Sequence, residues 1–181
     1  AGRFYDPGAC PDAPAGGSVK HIALIAAFDC RRAIGRDGRI PWHIPGEQRR
    51  FRELTLGNTV IFGRRTYEEI GAPLPHRESF ILSRTKQFHG AHLRTFPDLA
   101  SALAAAETPR IFIGGGAGVY AEALPLAEVL YLTEIAGDFQ GDTFFPAVPA
   151  GQFRQTAAEY HDGTVPYVYR TYCRTAEGRS G

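Results

Sequence analysis

Short runs of apolar residues recur along the chain, and each is about as long as a β-strand. The longest begins at His21, and most are bounded by glycine, proline, serine or charged residues. Continuous apolar runs of this length are typical of strands that are covered on both faces of a sheet. The pattern predicts strands over His21–Phe28, Thr59–Phe62, Ser79–Leu82, Arg110–Ile113 and Val129–Ile135.

Segments with helical spacing separate several of these strands. Pro45 is suited to a helix start, and Asp98 is suited to cap a later segment rich in alanine and leucine. The spacing predicts helices over Gly46–Thr55, Arg65–Ile70, Asp98–Ala106 and Gly118–Leu124. Strands that alternate with helices indicate a mostly parallel sheet with helices on both faces.

The end of the chain departs from this alternation. Phe153–Tyr160 and Tyr167–Thr175 are rich in β-prone residues, and only His161–Pro166 separates them. This connection is too short for a helical crossover, so the two segments predict an antiparallel hairpin at one edge of the sheet. The expected fold class is α/β, with a mostly parallel central sheet flanked by helices and an antiparallel C-terminal edge.

The chain length favours a single domain. The 181 residues are enough for one core but few for two domains. We expect a domain over residues 19–175, flexible tails at 1–18 and 176–181, and a monomer.

No apolar run approaches the roughly 20 residues that a membrane helix needs. The first 18 residues lack the pattern of a secretory signal, which predicts a cytoplasmic protein with no membrane partner.

Charge and cysteine content narrow the possible functions. The formal net charge is +1, with acids and bases interspersed, which lacks the basic excess of a nucleic-acid-binding protein. Cys10, Cys30 and Cys173 are an odd count without a CxxC pair, which argues against a disulfide framework and against a zinc site. We expect a reducing compartment, no metal and no nucleic-acid partner.

Three predicted strand ends carry groups suited to binding phosphates. They are Gly63-Arg64-Arg65-Thr66, Ser83-Arg84-Thr85 and Gly114-Gly115-Gly116-Ala117-Gly118. Singly, such segments are more often tight turns or solvated surface. Together, at one edge of an open α/β sheet, they favour a ligand with separated phosphates, such as a dinucleotide. Val119 stands where the GxGxxG fingerprint needs its last glycine, which disfavours a standard Rossmann domain.

One acidic residue lies along the apolar side of the first predicted helix. Glu47 falls in the first turn, and Phe51 follows it on the same face. One interpretation is a solvated N-terminal helix acid, which the helix dipole favours. The other is a carboxylate partly withdrawn from water, with a raised pKa, that binds an amidine-like heterocycle. The apolar stripe favours the second interpretation, with Phe51 stacked on the heterocycle.

These segments together resemble dihydrofolate reductases, over about Lys20 to Arg174. The most specific parts are PW-x-x-P-x-E followed by F-x-x-x-T, the block VIFGRRTYEEIG, and YLTEI followed by GDTFFP. The resemblance implies the dihydrofolate reductase fold, with a central sheet of eight strands. It also implies that NADPH reduces 7,8-dihydrofolate to 5,6,7,8-tetrahydrofolate for one-carbon metabolism, and that antifolate inhibitors bind.

The resemblance assigns roles on the substrate side. Glu47 would be the acid that hydrogen-bonds pterin N3 and the 2-amino group, supported through a water by Thr133, while Trp42 lies over the site. Arg77 would hold the substrate α-carboxylate in a bidentate fork. The implied substrate-binding residues are Ile25, Ala27, Gln48, Phe51, Arg52, Ile70, Leu74, Arg77 and Ile113.

The resemblance also assigns the cofactor side. The arginines after the second strand would bind phosphate, and Ser83 with Arg84 would hold the adenosine 2′-phosphate, which implies NADPH over NADH. The family's cis Gly-Gly peptide corresponds to Gly115-Gly116 or to Gly114-Gly115, because one extra residue precedes the tyrosine. The implied cofactor-binding residues are Ala27, Ile34, Gly35, Gly63, Arg64, Arg65, Thr66, Leu82, Ser83, Arg84, Ile113, Gly114, Gly115, Gly116, Ala117, Gly118, Val119 and Tyr120.

Several features accompany these assignments. Gln48, His76 and Phe62 depart from the common family pattern, and we expect the Phe62 change to be functionally quiet. The loop Asp29–Arg39 is the expected lid, and Asp142 begins a loop that contacts this lid or makes a turn.

Two alternatives remain at this point. A related NADPH-dependent pyrimidine reductase of riboflavin synthesis is not expected to carry the Trp42 and Glu47 pair. A non-catalytic nucleotide-binding or folate-binding module would keep the arginines and lose the acid.

Overall fold

The computed structural model describes Cys10 and residues 20–179, so most of the tail predicted at 1–18 and the last two residues lie outside the described residues. The strands are β1 (His21–Phe28), β2 (Ala33–Gly35), β3 (Thr59–Gly63), β4 (Glu78–Leu82), β5 (Leu93–Phe96), β6 (Arg110–Gly115), β7 (Val129–Ile135), β8 (Thr143–Phe144), β9 (Phe153–His161) and β10 (Tyr167–Arg174). The α-helices are α1 (Pro45–Thr55), α2 (Arg64–Ile70), α3 (Leu99–Ala105) and α4 (Ala117–Ala123).

Eight of these strands form one sheet in the order β5-β4-β3-β6-β1-β7-β10-β9. The first six in this order pair in parallel, whereas β10 runs antiparallel to both β7 and β9. The predicted fold class and the C-terminal hairpin are confirmed. β2 and β8 pair separately as a two-stranded antiparallel sheet.

Local sequence explains where the helices begin and end. Pro45 occupies the start of α1, where its missing N–H costs no hydrogen bond. Asp98 caps α3 as predicted, because its carboxylate accepts from the backbone N–H of Ser101 at 2.8 Å. Gly71 ends α2 with a φ of 80°, a left-handed conformation that glycine adopts without steric cost.

The sheet has a buried core on each face. Side chains alternate along β1, so Leu24 packs with the cluster that includes Leu99 of α3, and Ile25 packs with the cluster on the other face. Phe51 and Leu54 of α1 lie against this second cluster. Helix α1 therefore lies over the face of the sheet that carries Ile25.

A disulfide joins Cys10 to Cys173, near the end of β10. The prediction that the chain lacks a disulfide framework is wrong in this respect. The two cysteines lie 163 positions apart, and no spacing rule indicates that the N-terminal segment returns to the C-terminal strand. Cys30 is free and exposed.

The C-terminal residues that the structure describes lie close to the domain. Glu177–Arg179 forms a short 3-10 helix, and Arg179 pairs with Glu128 at 3.0 Å. The domain boundary predicted after Thr175 stays a prediction.

Among the residues described, no helix combines the length and the apolar character needed to span a membrane.

Candidate active site

The carboxylate of Glu47 is held between α1 and the sheet. Thr133 on β7 is buried, and its hydroxyl donates a hydrogen bond of 2.6 Å to Oε2 of Glu47. This bond is direct, whereas a link through a water was expected. Burial raises the pKa of the Glu47 carboxyl, while the Thr133 hydrogen bond and the positive charge of Arg50 act in the opposite direction. Glu47 is therefore not a fully solvated helix acid.

Trp42 lies just before α1 and is half-buried. Its indole packs edge-on against Phe139, with 5.4 Å between ring centroids. Phe139 belongs to the loop after β7, and its backbone N–H donates to the buried carboxylate of Asp29. The same carboxylate accepts from the N–H of Ala33 in β2. Asp29 thus ties the start of the predicted lid to the loop that carries the partner of Trp42.

The other end of α1 is joined to a buried arginine. Arg77 is only 6% exposed, and it donates to the hydroxyl of Thr55 at 3.1 Å and to the carbonyl of Pro75 at 2.9 Å. Burial, followed by the charge of Arg52, lowers the pKa of Arg77. Within the described part of the chain, its guanidinium forms no ion pair. A buried cation without an internal carboxylate is suited to bind an external one.

The remaining substrate-side residues vary in exposure. Ile25 is buried in the sheet, and Phe51 and Leu74 are partly buried against the same cluster. Gln48, Arg52 and Ile70 are exposed, and Ala27 is half-buried. The structure therefore brings Ile25, Phe51 and Leu74 together on the α1 face.

Ile113 does not lie in this group. It is fully buried on the opposite face, in the cluster that also contains Leu24 and Leu99. Side-chain alternation along β6 turns Ile113 away from α1, so its side chain does not join the substrate-side group. Its assignment to the cofactor site stays a prediction.

Gly114 forms a β-bulge between β6 and β3. The register changes from Ile61 opposite Ile113 to Phe62 opposite Gly115, which leaves Gly114 as the additional residue. A Cβ at position 114 would lie 2.5 Å from the Phe62 ring. The Phe62 ring thus occupies the space beside the strand that a side chain at position 114 would need.

A cleft of about 890 Å³ lies at the carboxyl ends of the parallel strands. It contains most of the predicted cofactor-binding residues: Ile34, Gly35, Gly63, Arg64, Arg65, Thr66, Leu82, Ser83, Arg84, Gly116, Ala117, Gly118 and Val119. The sequence assignments did not include several others that line it: Gly38, Arg39, Glu69, Pro97, Asp98, Leu99, Glu122, Asp142 and Thr143.

The glycines at the end of β6 bring bare backbone next to Thr66. The cis peptide joins Gly115 and Gly116, which decides between the two alternatives that the sequence left open. A Cβ at either glycine would lie 3.2 Å from a Thr66 side-chain atom. Tyr120 is buried behind them, and its hydroxyl donates to the carbonyl of Ile25 at 2.7 Å. A side chain at either glycine would therefore press against Thr66.

The basic groups of the cleft suit a phosphorylated ligand. Arg65 and Arg84 form no ion pair within the described residues. Arg64 pairs with Glu68 at 3.4 Å, and Lys86 pairs with the same carboxylate at 3.0 Å. Guanidinium groups, hydroxyls and bare backbone in one cleft fit the separated phosphates of a dinucleotide such as NADPH.

The predicted lid contacts the loop that Asp142 begins. The Asp142 carboxylate accepts from the backbone N–H of Asp37 at 2.9 Å, and the Asp142 N–H donates to the carbonyl of Gly35 at 2.9 Å. The hydrogen bond from Asp37 is the main reason that the pKa of Asp142 is lowered. The lid contact, one of two alternatives at the sequence level, is present.

Comparison with known proteins agrees with this geometry. A family model described as dihydrofolate reductase matches residues 21–174. The chain is 39% identical to dihydrofolate reductase type A13 of Escherichia coli over 155 residues, which cover 84% of this chain and 94% of the relative. It is 46% identical to dihydrofolate reductase type 3 of Salmonella typhimurium over 126 residues, which cover 69% of this chain and 78% of the relative.

A solved structure is similar throughout. The dihydrofolate reductase of Enterococcus faecalis, complexed with NADP(H) and RAB-propyl, superposes with a TM-score of 0.79 at 32% sequence identity. The superposition covers 86% of this chain and 96% of that chain.

Proposed function

The chain belongs to the dihydrofolate reductase family, and on that premise we propose how the Glu47 site and the strand-end cleft carry out the reaction. The activity is the NADPH-dependent reduction of dihydrofolate to tetrahydrofolate. When bound, NADPH supplies the reducing equivalent. The observation that carries the assignment is a partly buried carboxylate, Glu47, on the face of the sheet that carries Ile25, together with the phosphate-suited cleft at the strand ends.

We propose that α1 positions both ends of the folate. Glu47 lies in its first turn, and Thr55, which contacts Arg77, lies eight positions later. At 1.5 Å per residue, these positions are about 12 Å apart along the helix. A heterocycle bound by Glu47 and a carboxylate bound by Arg77 would be separated by a comparable distance. Helix α1 thus selects a long ligand with a polar ring at one end and an anion at the other.

Glu47 acts on the pterin by holding it. Its carboxylate binds N3 and the 2-amino group, which fixes the ring and raises the basicity of N5. N5 lies on the far side of the pterin from these atoms, so a water delivers the proton. Phe51 and Ile25 provide apolar surface that excludes bulk water from the ring.

On the cofactor side, we propose that Arg64, Arg65 and Thr66 bind the pyrophosphate. Ser83 and Arg84 bind the 2′-phosphate and make the enzyme prefer NADPH to NADH. The chain's own contribution is orientation, because the bare backbone at Gly115 and Gly116 lets the nicotinamide end approach the sheet closely.

The activity assay with dihydrofolate and NADPH tests the assignment of Glu47. Replacement by glutamine, Glu47→Gln, should reduce the rate steeply at neutral pH and less at acidic pH, where the substrate is protonated from solution. Glu53→Gln is a matched control, because Glu53 lies on the exposed side of α1 and pairs with Arg49. An unchanged rate for Glu47→Gln at neutral pH would dismiss the role of Glu47.

We also propose that the protein works as a monomer in the cytoplasm. The Cys10–Cys173 disulfide opposes this location, because the cytosol keeps most thiols reduced. Alkylation of thiols in intact cells, followed by mass spectrometry, separates the two cases. Alkylated Cys10 and Cys173 agree with the cytoplasm, and an intact disulfide counts against it. Sedimentation of the purified protein tests the monomer.

A further inference from the structure

Three residues form a closed arrangement with the active-site acid. Thr133 donates to Glu47, and Thr133 lies directly opposite Tyr169 in the antiparallel pairing of β7 and β10. The guanidinium carbon of Arg50 lies 4.0 Å from the centroid of the Tyr169 ring. Arg50 in turn follows Glu47 by three positions in α1, on the neighbouring turn of the same helix face.

We propose that Arg50, seated on the ring of Tyr169, is a positioning residue that keeps the carboxylate of Glu47 ionised and oriented. The inference rests on the proposed role of Glu47 in binding the pterin. It assigns a function to two residues on which neither the phosphate-binding cleft nor the substrate contacts described above depend.

The physical basis is the cost of burying a carboxylate. Removal from water disfavours the charged form of Glu47, and a fixed cation nearby offsets that cost. The charge of Arg50 lowers the pKa of Glu47, against the effect of burial. Water would screen the charge of an arginine that moved freely, so the position at which the Arg50 guanidinium is held matters.

The ring of Tyr169 holds the Arg50 guanidinium in this position. It is only 7% exposed, and a guanidinium over a desolvated aromatic face is held more firmly than one in water. The adjacent arginine is a natural contrast. Arg49 is exposed and pairs with Glu53 at 2.8 Å on the outer side of α1. Of these two neighbours, only Arg50 is directed toward the sheet.

The first turn of α1 is fitted to the same aromatic group. A Cβ at position 46 would lie 2.7 Å from the hydroxyl of Tyr167 and 3.3 Å from that of Tyr169. Gly46 therefore lets α1 approach β10 closely. Next to it, His161 stacks on Tyr167 with ring centroids 4.8 Å apart. This packing fixes the helix turn that carries Glu47.

Two tyrosines near Glu47 stay neutral in the working range. Tyr120 and Tyr169 both sense the charge of Glu47, and burial raises the pKa of each above its ordinary value. Beyond Tyr169 lie Tyr167 and His161, and His161 contacts the Glu159 carboxylate at 2.7 Å. Arg50 is thus the cation that acts on Glu47 from α1 itself.

The test is the pH dependence of the hydride-transfer rate, measured in single turnovers with NADPH and dihydrofolate. Arg50→Gln should move the midpoint of the acidic limb, on which Glu47 becomes protonated, upward by about half a pH unit or more. The reason is that Glu47 then binds a proton more readily. Arg50→Lys keeps the charge and should restore most of the wild-type midpoint. Arg49→Gln makes the same change in net charge on the outer face and should leave the profile unchanged.

Variants of Tyr169 complete the test. Tyr169→Leu should shift the midpoint in the same direction as Arg50→Gln, and Tyr169→Phe, which keeps the ring, should shift it less. The double variant Arg50→Gln with Tyr169→Leu should have a midpoint little different from that of Arg50→Gln alone, because the two changes remove the same interaction. If Tyr169→Leu does not fold, the pair Arg50→Gln and Arg50→Lys decides.

Failure of this inference is distinct from failure of the proposed function. A wild-type profile for Arg50→Gln, with Glu47→Gln impaired at neutral pH, overturns the role of Arg50 alone. Full activity of Glu47→Gln at neutral pH overturns the role of the acid itself. An equal shift for Arg49→Gln and Arg50→Gln would show that net charge, not the seat on Tyr169, sets the profile.

Discussion

Thr133 and Glu47 stand 86 positions apart in the chain, and a hydrogen bond of 2.6 Å joins them. The bond connects the central part of the sheet to the first turn of α1. It is the contact that turns a helix acid into a fixed, partly buried group, and several predictions depend on it.

Removal of this hydrogen bond should shift the ionisation of Glu47. Thr133→Val keeps the shape of a buried side chain and removes the donor. Because the bond from Thr133 lowers the pKa of Glu47, its loss should move the midpoint of the pH–rate profile upward. A hydrogen bond to a charged group contributes about 1.5–3 kcal/mol, so the rate at neutral pH should fall by roughly tenfold or more. Thr133→Ser keeps the hydroxyl and should remain close to the wild type; equal defects in both variants would contradict the prediction.

The raised pKa of Glu47 also predicts a dependence of stability on pH. In the folded protein the carboxyl holds its proton at a higher pH than in the unfolded chain, so the fold binds more protons and loses stability as pH rises through the folded pKa. Glu47→Gln removes this cost. Its melting temperature should exceed that of the wild type by a few degrees at pH 7 and match it below the unfolded pKa of 4.5. Calorimetry across that range checks it, and a variant less stable than wild type at pH 7 would refute it.

Arg77 should act on the substrate tail and not on the ring. Arg77→Lys loses the forked geometry and should raise KM for dihydrofolate by about tenfold to hundredfold, the range expected for a hydrogen-bonded charge. A dihydropterin that lacks the glutamate has nothing for Arg77 to bind, so the variant and the wild type should reduce it equally well. Steady-state kinetics with both substrates checks this. Equal losses with both would mean that Arg77 acts through the fold.

Arg84 should determine the choice of cofactor. It forms no ion pair within the described residues and borders the cleft beside Ser83. Arg84→Ala should lower kcat/KM for NADPH by about tenfold to hundredfold, because the 2′-phosphate loses a charged partner. The value for NADH, which has no such phosphate, should stay within about twofold. Kinetics with both cofactors checks the ratio, and a parallel loss would contradict it.

The Cys10–Cys173 disulfide should stabilise the fold. It closes a loop across a separation of 163 residues, and cross-links of this kind contribute about 2–5 kcal/mol. Cys10→Ser should therefore lower the urea midpoint, and a reductant should bring the wild type to the same midpoint. Cys30→Ser, at an exposed free cysteine, is the control and should unfold like the wild type. Reductant-insensitive unfolding of the wild type would count against the disulfide.

Much of the fold could be predicted because its signals are local. The strands at His21–Phe28 and Val129–Ile135 agree with the structure at both ends, since continuous apolar runs mark covered strands. Asp98 caps α3 as its position predicted. The strands β2, β5 and β8 escaped prediction because they are short and have few apolar residues, so their pairing partners alone make them strands.

The sequence by itself determined the class of fold, and its motifs and family resemblance supplied the acid at Glu47 and the arginines at the strand ends. Only the tertiary structure decided which face of β6 Ile113 occupies, that Cys10 reaches Cys173, and that Arg50 rests on Tyr169. Periodicity and caps act between neighbours in the chain, whereas these contacts join residues that only the packing of helix on sheet brings together.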